Sequence, residues 1–305
     1  MTECDVVIVG GGAAGLSAAL VLSRARRTVL VIDSRSPRNA NATHLHGFLT
    51  RDGMGTSEFL EIGRREVLGY GAKIERGRVQ SISVDPSDVA FTVRCDDGIA
   101  VSARSVLVAT GLRDELPAVP GAAELWGRSV LHCPYCHGHE VRDQPIGVLG
   151  GDNRPYSIHQ ASLVRQWSEN VVFFPNGIRL DPQERRRLLA RGVYIAEGSV
   201  QRVDDSEGDG LTVVLDDGRT VQRAALFVGP QFVPQNQLLI EVGASTDESG
   251  WIVTDAVGGT SVAGVWAAGN VSSSPAQIVD AAGAGSRAAI AINHHLLEQD
   301  IVAAL

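Results

Sequence analysis

Hydrophobic positions come in short unbroken runs, each closed by glycine or a polar turn and followed by a longer mixed stretch. Val6-Val7-Ile8-Val9 is the first run, and its lack of alternation predicts a parallel strand covered on both faces. It enters Gly10-Gly11-Gly12-Ala13-Ala14-Gly15, a helix is expected from about Leu16, and Val29-Leu30-Val31-Ile32 reads as a second strand. Ser57 to Tyr70 reads as a helix, and Gly71 to Gly77 carries a strand. Phe91-Thr92-Val93, the turn Asp96-Asp97-Gly98 and Val101 predict a hairpin, and Ser105 to Ala109 a buried strand ending in Thr110-Gly111.

The pattern then restarts. Ile146-Gly147-Val148-Leu149-Gly150-Gly151 repeats the first strand and its glycines, and Gly192 to Gly198 repeats Gly71 to Gly77. Leu211-Thr212-Val213 with Asp216-Asp217-Gly218 and Val221 repeats the hairpin, and Ala225 to Gly229 mirrors the strand that ends at Gly111. Internal repetition on this scale predicts an α/β chain with two Rossmann-like nucleotide-binding-type domains. Pro117 and Pro120, with Pro230 and Pro234, mark the crossovers. The expected division is 1–115 with 236–305, and an inserted domain over 118–232. Beyond Pro234, Val262 to Asn270 is expected as a strand ending at a polar residue, and Ala281 to Leu297 as an Ala-rich helix.

The glycine turn carries chemistry. Gly-x-Gly-x-x-Gly between a strand and a helix, with Asp33 closing the next strand, is the dinucleotide fingerprint. Glycines let the backbone approach a pyrophosphate, the helix N-terminus meets its charge, and the carboxylate takes ribose hydroxyls. The second chemical stretch is His132-Cys133-Pro134-Tyr135-Cys136-His137-Gly138-His139-Glu140. Two cysteines at this spacing can cycle between dithiol and disulfide, and a helix N-terminus and a nearby imidazole favour the thiolate. The same run could attach c-type haem through Cys-x-x-Cys-His, or contribute to a zinc site. His44 and His46 lie in a polar stretch with no pattern of its own.

Composition narrows these options. A net charge of −8 argues against a nucleic-acid partner, and four cysteines are too few for a disulfide scaffold. Cys4 and Cys95 fall in strands and read as packing residues. The apolar opening lacks a basic leader and is broken by glycines, and no run is suited to spanning a membrane. A reducing cytoplasm is therefore expected, where a Cys-x-x-Cys is catalytic or metal-binding rather than structural.

Together the fingerprint, Ala109-Thr110-Gly111, the Cys pair opening the inserted domain, Gly264-Val265-Trp266-Ala267-Ala268-Gly269-Asn270, and Gln277-Ile278 before Ala282-Gly283-Ala284-Gly285 resemble the low-molecular-weight thioredoxin reductase family. The resemblance covers nearly the whole chain. It implies FAD, held by Gly10, Gly12, Ala13, Ala14, Gly15, Asp33, Thr110, Gly111, Gly269, Asn270, Gln277 and Ile278. Ser34, Arg35, His46 and Val79 are further candidate contacts, and a homodimer is implied as well. Asn270 stands where that family usually has Asp, and Ala276 where it often has Arg. An amide can still hydrogen-bond a ribityl hydroxyl.

The inserted domain departs further. Its cradle reads Gly150-Gly151-Asp152-Asn153-Arg154-Pro155, with a carboxylate where a reductase has its second glycine and proline at the third small position. Val171 to Phe174 is followed by Pro175-Asn176-Gly177 instead of a basic cluster for a 2′-phosphate. Arg185-Arg186-Arg187 lies later, on a helix that Asp181, Pro182 and Glu184 would cap, and reads as a solvated face. Loss of NADPH binding is expected. Cys-Pro-Tyr-Cys-His-Gly in turn resembles FAD-dependent dithiol oxidases that close disulfides in small metabolites such as gliotoxin and holomycin. This implies Cys133, Cys136 and His137 as catalytic residues, a small-molecule dithiol as substrate and oxygen as acceptor. A thioredoxin reductase fed by NADPH or ferredoxin, and a non-catalytic flavin redox sensor, remain the alternatives.

Overall fold

The computed structural model describes residues 2–84, 90–206 and 210–305. The chain divides into two compact units. One comprises Met1–Ala40, Gly55–Arg113 and Val233–Leu305, the other Asn41–Met54 and Asp114–Phe232.

The first unit is built on β1 (Thr2–Val9), α1 (Ala13–Arg24), β2 (Val29–Asp33), α2 (Thr56–Gly69), β3 (Lys73–Arg76), β4 (Val79–Val84), β5 (Phe91–Cys95) and β6 (Ala100–Val108). Its sheet runs β3-β2-β1-β6-β5-β4. β1 is parallel to both β2 and β6, and Val6, Val7 and Ile8 are fully buried, as an unalternating central strand requires. β6 is long enough to serve two partners. Its first half pairs antiparallel with β5, and its second half pairs parallel with β17 (Val265–Ala267). α7 (Ile278–Ala304) closes the unit against α1 over Ala18, Leu22, Ala288, Ala289, Ile292 and Leu296. The expected strand over 262–270 is only three residues long. Gly264 and Gly269, at φ of 83° and 80°, turn the backbone at both ends.

The second unit repeats the plan with β8 (Val130–Leu131), α3 (Pro134–His137), β9 (Ile146–Leu149), α4 (Arg154–Val164), β10 (Val171–Phe174), α5 (Pro182–Ala190), β11 (Val193–Ile195), β12 (Val200–Asp205), β13 (Leu211–Leu215), β14 (Thr220–Arg223) and β15 (Ala225–Val228). A parallel sheet in the order β11-β10-β9-β15-β8 stands beside the antiparallel sheet β12-β13-β14. The crossover strands β7 (Leu112–Glu115) and β16 (Gln231–Pro234) pair with each other, and the short α6 (Gln237–Glu241) follows.

The expected range 1–115 differs from the observed division at Asn41–Met54, which groups with the inserted unit. Gly127 explains part of this: a Cβ there would lie 2.9 Å from the Asn41 carbonyl carbon, so only glycine admits the segment. Among the described residues no helix is long and apolar enough to cross a membrane.

Candidate active site and cofactor cradle

In the first unit the fingerprint forms a backbone cradle. A Cβ on Gly10 would lie 2.8 Å from the Ala109 carbonyl carbon, and one on Gly15 3.1 Å from that of Gly10, so both glycines serve close backbone approach. Gly12 is different, because its missing side chain faces open space. It also caps α1 without a side-chain acceptor, so it leaves first-turn amides for an anion. Asp33 is buried beside them: a Cβ on Gly11 would lie 2.5 Å from its Oδ2. The Arg35 amide donates to Asp33 Oδ1 at 3.0 Å, and Arg64 of α2 places its guanidinium 3.3 Å from Oδ2. Arg64 carried no sequence signal.

The other ends of the sheet converge on this turn. A Cβ on Gly269 would meet Ala14 Cβ at 3.0 Å. Thr110 is tied down by its hydroxyl donating to the Gln235 carbonyl at 2.6 Å, while Gln235 Nε2 donates to the Thr110 carbonyl at 2.8 Å. Asn270 Nδ2 donates to the carbonyls of Ser273, Ser274 and Ala276 at 2.9, 3.3 and 2.9 Å, fixing the loop that enters α7. The Gln277 amide then donates to Asp280 Oδ2 at 2.9 Å and starts α7 at Ile278, three residues ahead of the expected helix. Ser34 and Arg35 follow Asp33 on the surface, and Val79 is buried at the head of β4. Open space over Gly12, uncapped amides and a buried carboxylate fit a dinucleotide such as FAD.

His46 is carried by the other unit, on the Asn41–Met54 segment, with Nδ1 3.4 Å from Asp52 Oδ1 and Nε2 3.6 Å from Glu140 Oε1.

The cysteine pair sits directly after β8. Cys133 caps α3, and the amides of Cys136 and His137 both donate to its carbonyl at 3.1 Å. One helical turn brings the sulfurs to 2.7 Å, with the Cys136 thiol donating to Cys133 Sγ. The helix is a single turn, shorter than the motif suggested, so proximity rather than a long dipole defines the pair. Gly138 ends the turn under Trp167, where a Cβ would lie 2.7 Å from the indole, and Tyr135 meets the same indole edge-on at 5.8 Å. His137 lies half-buried beside the pair, and burial holds its imidazole below the usual histidine range. Glu140 pulls in the opposite direction, and His46 in the same direction as burial. A neutral imidazole can accept a proton at neutral pH. His137 also faces a cavity of about 180 Å³ with His44, His46, Arg128 and Glu140.

Cys4 and Cys95 take no part. Both are in strands, with burial pushing the Cys4 thiol up to about 11 and the Cys95 thiol up as well. Among the described residues no three His, Cys, Asp or Glu side chains form a metal-binding group.

In the second cradle two backbone amides are engaged by the protein's own side chains. Asn153 caps α4, its side-chain oxygen accepting from the Tyr156 amide at 3.4 Å, and its carbonyl takes the Ser157 amide at 2.9 Å. Ser157 Oγ accepts from the Gly151 amide at 3.3 Å. Arg154, the one cation at the turn's head, is drawn away to Glu184 at 2.6 Å and to the Arg179 carbonyl at 3.0 Å. The Tyr156 ring packs against Gly229, where a Cβ would lie 2.6 Å from it, and clusters with His132 and Phe232. α5 carries the expected cap of Asp181, Pro182 and Glu184, and its Arg185 pairs with Glu197. Asn153 before Arg-Pro was a readable cap signal.

Comparison with known proteins agrees with this architecture. The family described as pyridine nucleotide-disulphide oxidoreductase matches residues 4–285. Thioredoxin reductase sirT of Leptosphaeria maculans is 30% identical, the match covering 98% of this chain and 96% of that protein. The crystal structure of HlmI superposes with a TM-score of 0.95 at 50% identity, over 100% of this chain and 96% of that one. An oxidoreductase from Agrobacterium tumefaciens superposes at 0.91 and 35% identity, over 97% and 99% of the two chains.

Proposed function

Because the chain belongs to the pyridine nucleotide-disulphide oxidoreductase family and is an FAD-dependent thiol-disulfide oxidoreductase of the thioredoxin reductase type, we propose that it acts as a dithiol oxidase. Its substrate is a small-molecule dithiol, in which it closes an intramolecular disulfide. The observation that carries this reading is the contrast between the two halves of the second unit: the cysteine pair and His137 stand ready, while the nucleotide cradle is capped by Asn153 and Ser157.

The oxidised pair is the electron acceptor for substrate. A substrate thiolate attacks Cys133 Sγ, breaking the Cys133–Cys136 bond, joining substrate sulfur to Cys133 and leaving Cys136 as thiolate. The second substrate thiol gives its proton to His137, and its sulfur displaces Cys133 from the mixed disulfide. The substrate leaves as a disulfide, two electrons lower, and the protein holds the dithiol seen with its sulfurs 2.7 Å apart. Gly10, Gly12, Ala13, Ala14, Gly15, Asp33, Thr110, Gly111, Gly269, Asn270, Gln277 and Ile278 would hold FAD, which would supply a two-electron acceptor for the dithiol, with oxygen as the terminal acceptor of this reading. The protein's part is to hold that cofactor, to keep Cys133 and Cys136 paired and to keep His137 neutral.

The test is anaerobic rapid mixing of the holoprotein with NADPH, with NADH and with a dithiol. The dithiol should bleach the flavin within a turnover, and both nucleotides should leave it yellow. Bleaching by a nucleotide would return the protein to the reductase activity for which sirT is named.

A further inference from the structure

The segment Asn41–Met54 brings a second imidazole to the wall that His137 faces. His46 is held at both ring nitrogens by carboxylates, Asp52 at 3.4 Å and Glu140 at 3.6 Å. Asp52 is itself anchored, its Oδ1 accepting the Gly47 amide at 2.9 Å, and that bond, then His46, hold its carboxyl below the usual range. Glu140 follows α3 by one turn and lines the same cavity as His46 and His137. Glu140 thus faces His46 and lines one cavity with His137, the residue that follows the cysteine pair.

We propose that His46 is a positioning residue of the thiol-oxidation site: clamped between Asp52 and Glu140, it governs how strongly Glu140 acts on His137, and so the pH at which His137 can take a thiol proton. The chemistry requires such control. An unopposed carboxylate beside His137 would favour the imidazolium, which cannot accept a proton, and a cation pairing with that carboxylate restores the neutral base. The directions agree, since burial, and then His46, lower His137 while Glu140 raises it. The remaining titratable groups of this wall are His44 from the segment and Arg128, which is engaged by Asp205 at 2.7 Å; Cys133 and Cys136 lie at the cap and within α3, and His139 follows it. The segment holds its shape without the His46 ring. The Leu45 amide donates to the Met54 carbonyl and the Gly53 amide to that of Leu45, both at 2.9 Å. His46 substitutions therefore test charge, not folding.

The kinetic part rests on the dithiol-oxidase reading; the primary readout does not. Oxidised holoprotein labelled at histidine Cε1 is titrated by NMR, with the His137 signal assigned from its loss in His137→Gln. His46→Gln should raise the His137 midpoint by about half a pH unit, the size a partly exposed ion pair gives. His46→Lys keeps a cation facing Glu140 and should hold the midpoint near wild type, and Glu140→Gln should lower it. Adding His46→Gln to Glu140→Gln should move it less than half as far as in wild type. A rise below about 0.2 unit, or one that lysine does not reverse, overturns the proposal. In dithiol turnover the acid limb of kcat/KM should move with the midpoint. If the NMR shifts appear and no dithiol is oxidised, the functional reading fails and this one stands.

Discussion

Two glycines in α7, two residues apart, should respond to alanine in opposite ways. Gly285 lies where α7 crosses α1. A Cβ there would sit 2.7 Å from the Ala14 carbonyl carbon and 2.9 Å from its Cα, nearer still to the oxygen, whereas ordinary contact begins at 3.4 Å. Both neighbours are backbone, so the helices must part by at least about 0.7 Å, the difference between 3.4 and 2.7 Å. A gap of that size forfeits about a quarter to a half of each pair's dispersion energy along the seam of Ala18, Leu22, Ala288, Ala289, Ile292 and Leu296. Overpacking of this kind costs about 1–3 kcal/mol. At roughly 2–4 °C per kcal/mol for a unit of this size, Gly285→Ala should lower Tm by about 2–12 °C. Ala14 is also in the FAD cradle, so the flavin-to-protein absorbance ratio should fall. At Gly283 the nearest atom to a new Cβ is Arg287 Nη1 at 3.5 Å, ordinary contact. Gly283→Ala should therefore gain about 0.5–1 kcal/mol from helix propensity. Thermal melts of the apoproteins and absorbance spectra of the purified holoproteins read both effects. If Gly285→Ala melts within about 1 °C of wild type with full flavin, the close crossing is not as described.

Cys133→Ser, Cys136→Ser and the double variant should keep FAD, and all should fall to one floor of dithiol-driven oxygen uptake, because sulfurs 2.7 Å apart act as a unit. An oxygen electrode checks this, and a single variant well above the double would break the pairing. His137→Ala should lose about 10²–10⁴ in dithiol oxidation near neutral pH, the loss shrinking at high pH as substrate thiols ionise unaided. Folding lowers the His137 pKa from 6.5, so its contribution to stability is full above pH 6.5 and lost as pH falls through the lowered value. Melts of His137→Ala across pH should accordingly show a shallower acid decline than wild type. Asn270→Asp would set a carboxylate against three carbonyls that now accept from an amide. That cost should be about 1–3 kcal/mol, visible as a lower Tm and faster FAD release on dilution; unchanged FAD retention would rule out this role for the amide.

What the sequence made legible was local or periodic. The central strands of both sheets were readable because a strand buried on both faces needs an unbroken apolar run, and Val6–Val9, Val171–Phe174 and Ala225–Val228 have one. Hairpin turns at Gly98 and Gly218 were readable because their φ of 84° and 86° calls for glycine. Boundaries shifted wherever a turn belonged to the helix that followed. α1 starts at Ala13 because the Leu16 amide already donates to the Gly12 carbonyl at 2.9 Å.

The cysteine pair was equally legible, since its geometry depends on a spacing of three residues within one turn. The groups around His137 were not, because they meet across long sequence separations. His46 reaches Glu140 from a segment with no apolar period, and the glycine that admits that segment, Gly127, is one of many in the chain. Asp52 and Glu140 carry no sequence signal of their own, and the structure leaves both partly exposed. The second cradle was half legible: Asp152 and Pro155 depart from the glycine pattern on inspection, but the Arg154–Glu184 pair joins the starts of α4 and α5 across β10. The same physics separates the two cradles. Where the first-turn amides face an uncapped glycine, a ligand can complete them; where an asparagine engages a first-turn amide and a serine engages the Gly151 amide before the helix, a dinucleotide has less to bind. If flavin reduction by nucleotides proves slow, removing the Asn153 and Ser157 side-chain acceptors together should restore more of it than removing either alone, since each engages one amide.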